Sequence, residues 1–199
     1  MRSNVCKIEN GTRDLEAIFK ECERVGQYNE LTHKQALQLR LLCEELDGML
    51  PNLIDDFEGE LYIECEDKCC KVNASIKIPD FNAAKKDELI NISKSKKNAA
   101  AVGIVGRIRA AIEDFFLGEE IGDGFCVSPG MFCLSTGYSD GVDYSYLWTL
   151  EQYRGLMEGK KEAEAWDELE KSVIASVADD VIVGIKGKRA DIVIVKNFA

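Results

Sequence analysis

Cations and histidine are scarce in this sequence. It has 25 Lys plus Arg against 36 Asp plus Glu, which gives a formal net charge of −11, and it has a single His. A chain this acidic repels the phosphate backbone of a nucleic acid. We therefore expect no nucleic-acid partner, and we expect any local cluster of cations to suit a small anion.

Long apolar runs are absent as well. The longest uncharged apolar stretch, Ala99 to Gly106, is far shorter than the roughly 20 residues that a membrane-spanning helix needs. The first residues, Met-Arg-Ser-Asn-Val-Cys-Lys, lack the apolar segment of a secretory signal. These absences predict a cytoplasmic protein without a membrane partner.

The eight cysteines lack the spacing of a metal site. No C-x-x-C motif occurs and His33 is the only histidine, so we expect no structural zinc. In a cytoplasmic protein we also expect reduced thiols rather than disulfides. Three cysteines lie singly at apolar positions of predicted elements and three flank a predicted hairpin turn: Cys6, Cys22, Cys43, Cys65, Cys69 and Cys70.

Hydrophobic periodicity predicts a chain that mixes helices with antiparallel hairpins. The residues from Gly118 to Tyr144 are rich in Gly, Ser and Asp and lack such periodicity, so we interpret them as part of an insertion at about residues 118–160 of a single domain. The predicted elements are a strand at Val5–Glu9, a helix at Asp14–Val25, a helix from Thr32 to Pro51, a hairpin of Glu60–Cys65 and Cys69–Ile78, a helix from Asn98, helices at Tyr146–Met157 and Glu162–Val177, and a hairpin of Asp180–Ile185 and Ala190–Lys196.

The second predicted helix has an acidic edge. Thr32 and Gln35 have the spacing of a capping box at its start, and Pro51 predicts its end. Glu44 lies one turn before Gly48, beside the apolar stripe that the helix buries. Glu45 and Asp47 are next to them in the sequence, so carboxylates border the buried face.

The densest group of cations precedes a strong helix signal. Lys94, Lys96 and Lys97 come just before Asn98, a favourable N-cap, and a run of alanines. The free backbone N–H groups and the positive dipole end of that helix would face the same ligand as the lysines. The arrangement predicts an anion site, and the alternative is a solvated loop before a buried helix.

Three features of the chain, taken in order, carry a resemblance. The stretch from Leu39 to Leu50 contains Glu44, Asp80 follows the second strand of the first hairpin, and Gly103 and Gly106 lie in the next helix. They resemble the N-box helix, the adenine-binding Asp and the second glycine box of GHKL ATPases, the Bergerat-fold family of histidine kinases, gyrase and Hsp90. The similarity to the GHKL family covers about two thirds of the chain, and the region from Val5 to Ile78 most resembles the anti-sigma-factor serine kinases. The implied fold class is α+β, a two-layer α/β sandwich with a mixed, mostly antiparallel sheet and helices on one face.

The resemblance also implies a site and a cofactor. Glu44 would be the catalytic residue that activates the attacking group, Asp80 would bind the adenine amino group of ATP, and the phosphates would lie at the helix that starts near Asn98. Gly48 occupies the position of the family's magnesium-binding Asn and cannot coordinate a metal through its side chain, while reading Glu45 as the catalytic residue puts Met49 there. The residues that would bind the cofactor are Asp80, Lys96, Lys97, Asn98, Gly103 and Gly106.

These departures favour ATP binding over magnesium-dependent turnover. After Asp80 the chain reads Phe-Asn-Ala-Ala, so both glycines of the family's first glycine box are missing. The alternative function is a non-catalytic protein-interaction module of the same fold, whose acidic surface would select basic partners. A redox or metal role for the cysteines around the hairpin turn is the weakest alternative.

Overall fold

The computed structural model describes residues 1–10, 14–54, 57–77, 104–109, 112, 131–132, 146–158 and 172–199. Residues 104–109 are helical and form a segment that we call the glycine-box helix. The other elements are β1 (Cys6–Glu9), α1 (Leu15–Tyr28), α2 (His33–Leu53), β2 (Glu58–Glu66), β3 (Cys69–Lys77), β4 (Met131–Phe132), β5 (Tyr146–Thr149), α3 (Leu150–Glu158), α4 (Val173–Val177), β6 (Asp180–Lys186) and β7 (Arg189–Asn197).

The strands form one seven-stranded sheet in the order β1-β2-β3-β7-β6-β5-β4. Each neighbouring pair of these described strands is antiparallel. The two hairpins meet in the middle, where β3 pairs with β7 from Cys69 opposite Asn197 to Lys77 opposite Arg189. The predicted α+β class, a sandwich of helices against a sheet, is confirmed, and the described part of the sheet is antiparallel throughout.

The first two helices begin where capping chemistry predicts. The Asp14 side chain accepts a hydrogen bond from the backbone N–H of Ala17 at 3.0 Å, which satisfies a free donor at the start of α1. At the start of α2 the Thr32 hydroxyl accepts from the backbone N–H of Gln35, and the Gln35 side chain accepts from the backbone N–H of Thr32 at 2.8 Å. The predicted capping box is therefore confirmed.

A single core lies between the helices and one face of the sheet. The apolar stripe of α2 is buried, and the buried side chains of β2 alternate with partly or fully exposed ones, as expected for a strand with one covered face. The glycine-box helix joins this core through Ile104 and Ile108, which are 2% and 0% exposed. Buried members from α2 and the four central strands include Leu39, Leu42, Leu46, Leu50, Leu61, Ile63, Val72, Ile76, Val181, Val183, Ile192 and Ile194.

The predicted end of α2 at Pro51 is wrong, because the helix continues to Leu53. Proline lacks only its own N–H, and the backbone N–H of Ile54 still donates to the carbonyl of Leu50 at 3.1 Å, which closes the last turn. The extension adds half a turn to α2. It brings Asn52 onto the helix.

Two predicted helices in the C-terminal half are also wrong in part. Residues from Tyr146 to Thr149 form β5, because they pair with β6, and only the residues from Leu150 onward are helical. The apolar run at these positions is short and suits a strand as well as a helix, and pairing with β6 makes it a strand. The predicted helix to Val177 does not pass through Ser172, which is extended and caps the five-residue α4.

A disulfide joins Cys65 and Cys70, which corrects the expectation of reduced thiols. The two residues lie directly opposite each other on β2 and β3, and their Cα atoms are 4.1 Å apart. The turn between the strands is formed by Asp67 and Lys68, both with positive φ as in a type I′ hairpin turn. This two-residue turn sets the register that brings the sulfurs together, and the spacing of cysteines in the sequence does not reveal it.

Candidate functional site

A cavity of about 450 Å³ lies along α2. Its described lining comes from the consecutive helices α1 and α2, from the glycine-box helix and from the start of α4. The volume is in the range of small-molecule sites, roughly 300–1,000 Å³. The lining combines carboxylates, an amide and a hydroxyl with four apolar side chains: Leu15, Glu44, Glu45, Asp47, Gly48, Met49, Asn52, Val105, Ser172 and Ile174.

The polar side of the cavity follows one stripe of α2. Glu44, Gly48 and Asn52 recur every four residues, so the helix presents them one turn above another. A Cβ added at Gly48 would meet nothing within 4 Å, so the cavity is open at this position. The Asn52 side-chain amide donates to the Gly48 carbonyl at 3.4 Å, which holds the amide on this stripe.

Glu45 and Asp47 also line the cavity, although the sequence indicates them only as part of an acidic edge. Asp47 is 3% exposed, and Glu45 is half-buried. A carboxylate as deeply buried as Asp47 needs hydrogen bonds or charged partners to be stable there. The most buried carboxylate of the cavity wall therefore comes from a position that the sequence does not single out.

The glycine-box helix lies against the second half of α2. Val105 lines the same cavity as Glu44, and Arg109 donates a hydrogen bond from Nη1 to the backbone carbonyl of Asn52 at 3.3 Å. This contact joins the C-terminal turn of α2 to the glycine-box helix. The structure thus places the two predicted motif segments beside one cavity.

Of the seven predicted site residues, Glu44 and Gly106 lie within the described ranges. Glu44 is an exposed residue on the cavity wall, and Gly106 is in the glycine-box helix next to Val105. The other five, Asp80, Lys96, Lys97, Asn98 and Gly103, lie outside the described residues.

Asn52 and Ser172 were not predicted to line the site. The sequence does contain a signal for Asn52, because Asn52 continues the four-residue spacing of Glu44 and Gly48. A helix that is predicted to end at Pro51, however, does not include Asn52. Ser172 has no such signal. It reaches the cavity because it caps α4, where its side chain accepts from the backbone N–H of Ala175.

Magnesium, which the family resemblance implies, does not fit the described residues. Gly48 offers no side-chain oxygen at the position of the family's Asn. In the described part of the chain, no three His, Cys, Asp or Glu side chains are placed to hold a metal ion.

A polar cluster fixes α4, whose first turn reaches the cavity. Arg154 of α3 donates to the carbonyl of Ala175 in α4 and to the carbonyl of Asp179. Asp180 accepts from the backbone N–H of Glu151 at 3.0 Å, and its partial burial raises the pKa of its carboxyl group. These contacts join α3, α4 and the start of β6, and so they hold one wall of the cavity in place.

Comparisons with known proteins give no assignment. No family model matches the chain, and neither a curated protein nor a solved structure matches it. The likeness to GHKL ATPases therefore stays a prediction that depends on residues and geometry. Among the described residues, no helix is long and apolar enough to cross a membrane.

Proposed function

We propose that this chain is an ATP-binding protein of the GHKL type and that its nucleotide site is the cavity along α2. One observation carries the proposal. Glu44 of α2 and Val105 of the glycine-box helix line one cavity, although β2, β3 and residues 78–103 separate them in the chain. The resemblance to GHKL ATPases requires α2, which would be the N-box helix, to lie beside the glycine-box helix.

The lining supplies both kinds of contact that a nucleotide needs. Leu15, Met49 and Ile174 offer apolar surface for a base. Asn52 and Ser172 offer hydrogen-bonding groups for the sugar and the base edges. In this proposal the predicted contacts of Asp80 with adenine, and of Lys96, Lys97 and Asn98 with the phosphates, complete the site outside the described residues.

Turnover of the nucleotide is not part of the proposal. Glu44 is exposed on the cavity wall and is the residue that would act as a general base if hydrolysis occurred. Phosphoryl transfer in this class depends on a metal that neutralises charge on the phosphates. Because Gly48 cannot supply the missing ligand, we expect binding with little or no hydrolysis.

The second candidate is a non-catalytic protein-interaction module of the same fold. The observation that favours it is the same glycine at position 48, together with the absence of a metal-binding group in the described ranges. The two candidates differ in one measurable property. Only the first binds nucleotide in the cavity.

Calorimetric titration of the full chain with ATP, with and without magnesium, tests the proposal. We expect saturable heat that changes little when magnesium is omitted. Gly48→Leu should abolish the heat because it fills the cavity from a position where an added Cβ meets nothing within 4 Å. The matched control is Gly155→Leu on α3, where an added Cβ also meets nothing within 4 Å, and this variant should bind as the wild type does.

Two outcomes would contradict the proposal. If millimolar ATP produced neither heat nor a shift in melting temperature, the interaction module would be the better description. If ATP bound equally well to Gly48→Leu and to wild type, the nucleotide site would lie elsewhere. A Glu44→Gln variant that keeps its affinity for ATP would support binding without chemistry.

A further inference from the structure

Two buried thiols face each other between α1 and α2. Cys22 of α1 is 2% exposed and Cys43 of α2 is 0% exposed, and their Sγ atoms are 3.3 Å apart. A disulfide bond is about 2.05 Å long, so the sulfurs need to approach by only about 1.2 Å to bond. The structure describes both cysteines as free.

These thiols lie on two helices that both contribute to the cavity wall. Leu15, at the start of α1, lines the cavity, and Cys22 lies two turns further along the same helix. Cys43 immediately precedes Glu44, the first cavity residue of α2. A covalent link between the sulfurs would therefore restrain both helices close to the cavity.

We propose that Cys22 and Cys43 form a reversible disulfide under oxidising conditions, and that this bond stiffens the α1 and α2 walls of the cavity. The oxidant is a peroxide. The thiolate sulfur of one cysteine attacks the O–O bond of hydrogen peroxide, which gives a sulfenic acid and, after proton transfer, one water. The second thiol attacks the sulfenic sulfur, the S–O bond breaks, and a second water leaves. Two thiols and one peroxide thus give one disulfide and two waters, and a dithiol reductant reverses the reaction by exchange.

The geometry lets either sulfur react first. Each Sγ atom lies 3.3 Å from the other, so whichever cysteine is oxidised to the sulfenic acid has the second thiol in place to resolve it. The hydrogen bond with Cys22 and complete burial raise the pKa of the Cys43 thiol well above its usual range. Because both sulfurs are buried, peroxide reaches them through local opening of the helices, which sets a slow rate.

Cys6 is the competing partner. It lies on β1 and is partly exposed, and Cys22 is close enough to contribute to the raised pKa of its thiol, after burial and Glu21. A disulfide between Cys6 and Cys22 would join α1 to the sheet and leave α2 free. The experiment must therefore identify the linked residues as well as count the remaining thiols.

The test uses the folded wild-type chain treated with hydrogen peroxide, alkylated in denaturant and digested without reduction. We expect a cross-linked peptide that contains Cys22 and Cys43, and we expect dithiothreitol to restore both alkylated peptides. Full alkylation of both thiols after peroxide, or a cross-link from either of them to Cys6, would overturn the proposal. This result does not depend on whether ATP binds.

The effect on the cavity walls is measured by hydrogen exchange and melting. Oxidation should slow amide exchange in α1 and α2 and raise the melting temperature by about 5–10 °C, because the bond closes a loop between the two helices. Cys43→Ala should show neither change, whereas Cys69→Ala, which removes a free thiol on β3, should behave as wild type. Unchanged exchange in an oxidised, cross-linked wild type would refute the stiffening.

Discussion

Replacing Gly59 by alanine should destabilise the protein strongly, because β2 and β3 pass too close at this point for a side chain. A Cβ at position 59 would lie 2.4 Å from the carbonyl oxygen of Ser75 and 2.8 Å from Cγ2 of Ile76. Non-bonded carbon contacts are comfortable at about 3.5–4.0 Å. The nearest atom belongs to the backbone, so the two strands must separate locally by about 1 Å to accept a methyl group.

The free energy of unfolding should fall by about 2–3 kcal/mol. Overpacking of this kind costs about 1–3 kcal/mol, and each ladder hydrogen bond that lengthens beyond use costs about 1 kcal/mol. Alanine recovers about 0.4–1 kcal/mol because it restricts the unfolded chain. For a chain of this size the net loss corresponds to a decrease in melting temperature of about 5–10 °C.

Urea and thermal unfolding followed by circular dichroism measure this effect, and Gly48→Ala is the matched control. Gly48 is inside α2 and has no atom within 4 Å of an added Cβ, so alanine there should stabilise by about 0.5–1 kcal/mol. The two identical substitutions should therefore shift stability in opposite directions. If Gly59→Ala were as stable as wild type, the register that places Gly59 opposite Ile76 would be wrong.

Three further effects are expected. Reduction of the Cys65–Cys70 disulfide should lower the free energy of unfolding by about 2 kcal/mol, the value for a loop of about six residues, and a chain with Ala at both positions should unfold alike with and without reductant. Asp179→Asn should destabilise the protein by about 0.5 kcal/mol near pH 7. Desolvation raises the pKa of the Asp179 carboxyl group, but hydrogen bonds from Lys196 and from the Asn197 backbone outweigh it, so the pKa is lowered overall. The expected effect is small because the Asp179 side chain is nearly half exposed. A carboxyl group with a lowered pKa stabilises the fold at pH values above its unfolded pKa of about 3.9, and this stabilisation is lost as the pH falls through its folded pKa. The free energies of unfolding of wild type and variant, measured in urea, should therefore become equal in acid. Partial burial raises the pKa of Asp180, so its carboxyl group favours folding more as the pH falls through its folded pKa. Stability of the wild type should therefore fall less steeply in acid than that of Asp180→Asn. A steeper fall in the wild type would contradict the predicted direction of this pH dependence.

Local features of the fold were predictable from the sequence. The capping box of Thr32 and Gln35 depends on residues three apart, and both hairpins carry alternating apolar residues around short turns. The order of the strands depends instead on pairing between residues far apart in the chain. No periodicity records that β7 lies between β3 and β6.

The candidate site was predictable only where one helix carries it. Glu44 borders the apolar stripe of α2 in the sequence, and it lines the cavity. Gly106 is next to Val105 in the glycine-box helix but is not among the described residues that line the cavity. Asn52 was missed because Pro51 predicts an end to the helix that the backbone does not obey. Ser172 and Ile174 come to the cavity through the packing of α4, which follows from contacts that the sequence does not show.

The central position of β7 has a consequence for biosynthesis. β1, β2 and β3 leave the ribosome early, but the strand that pairs with β3 is synthesised only after residues 78–188. Until then the nascent chain presents a nine-residue β3 edge with unpaired backbone groups, which is a template for pairing with another chain. The sheet therefore cannot be completed until β7 has been synthesised, and a chain interrupted before Arg189 should divide into two half-sheets that aggregate rather than persist as a stable fragment.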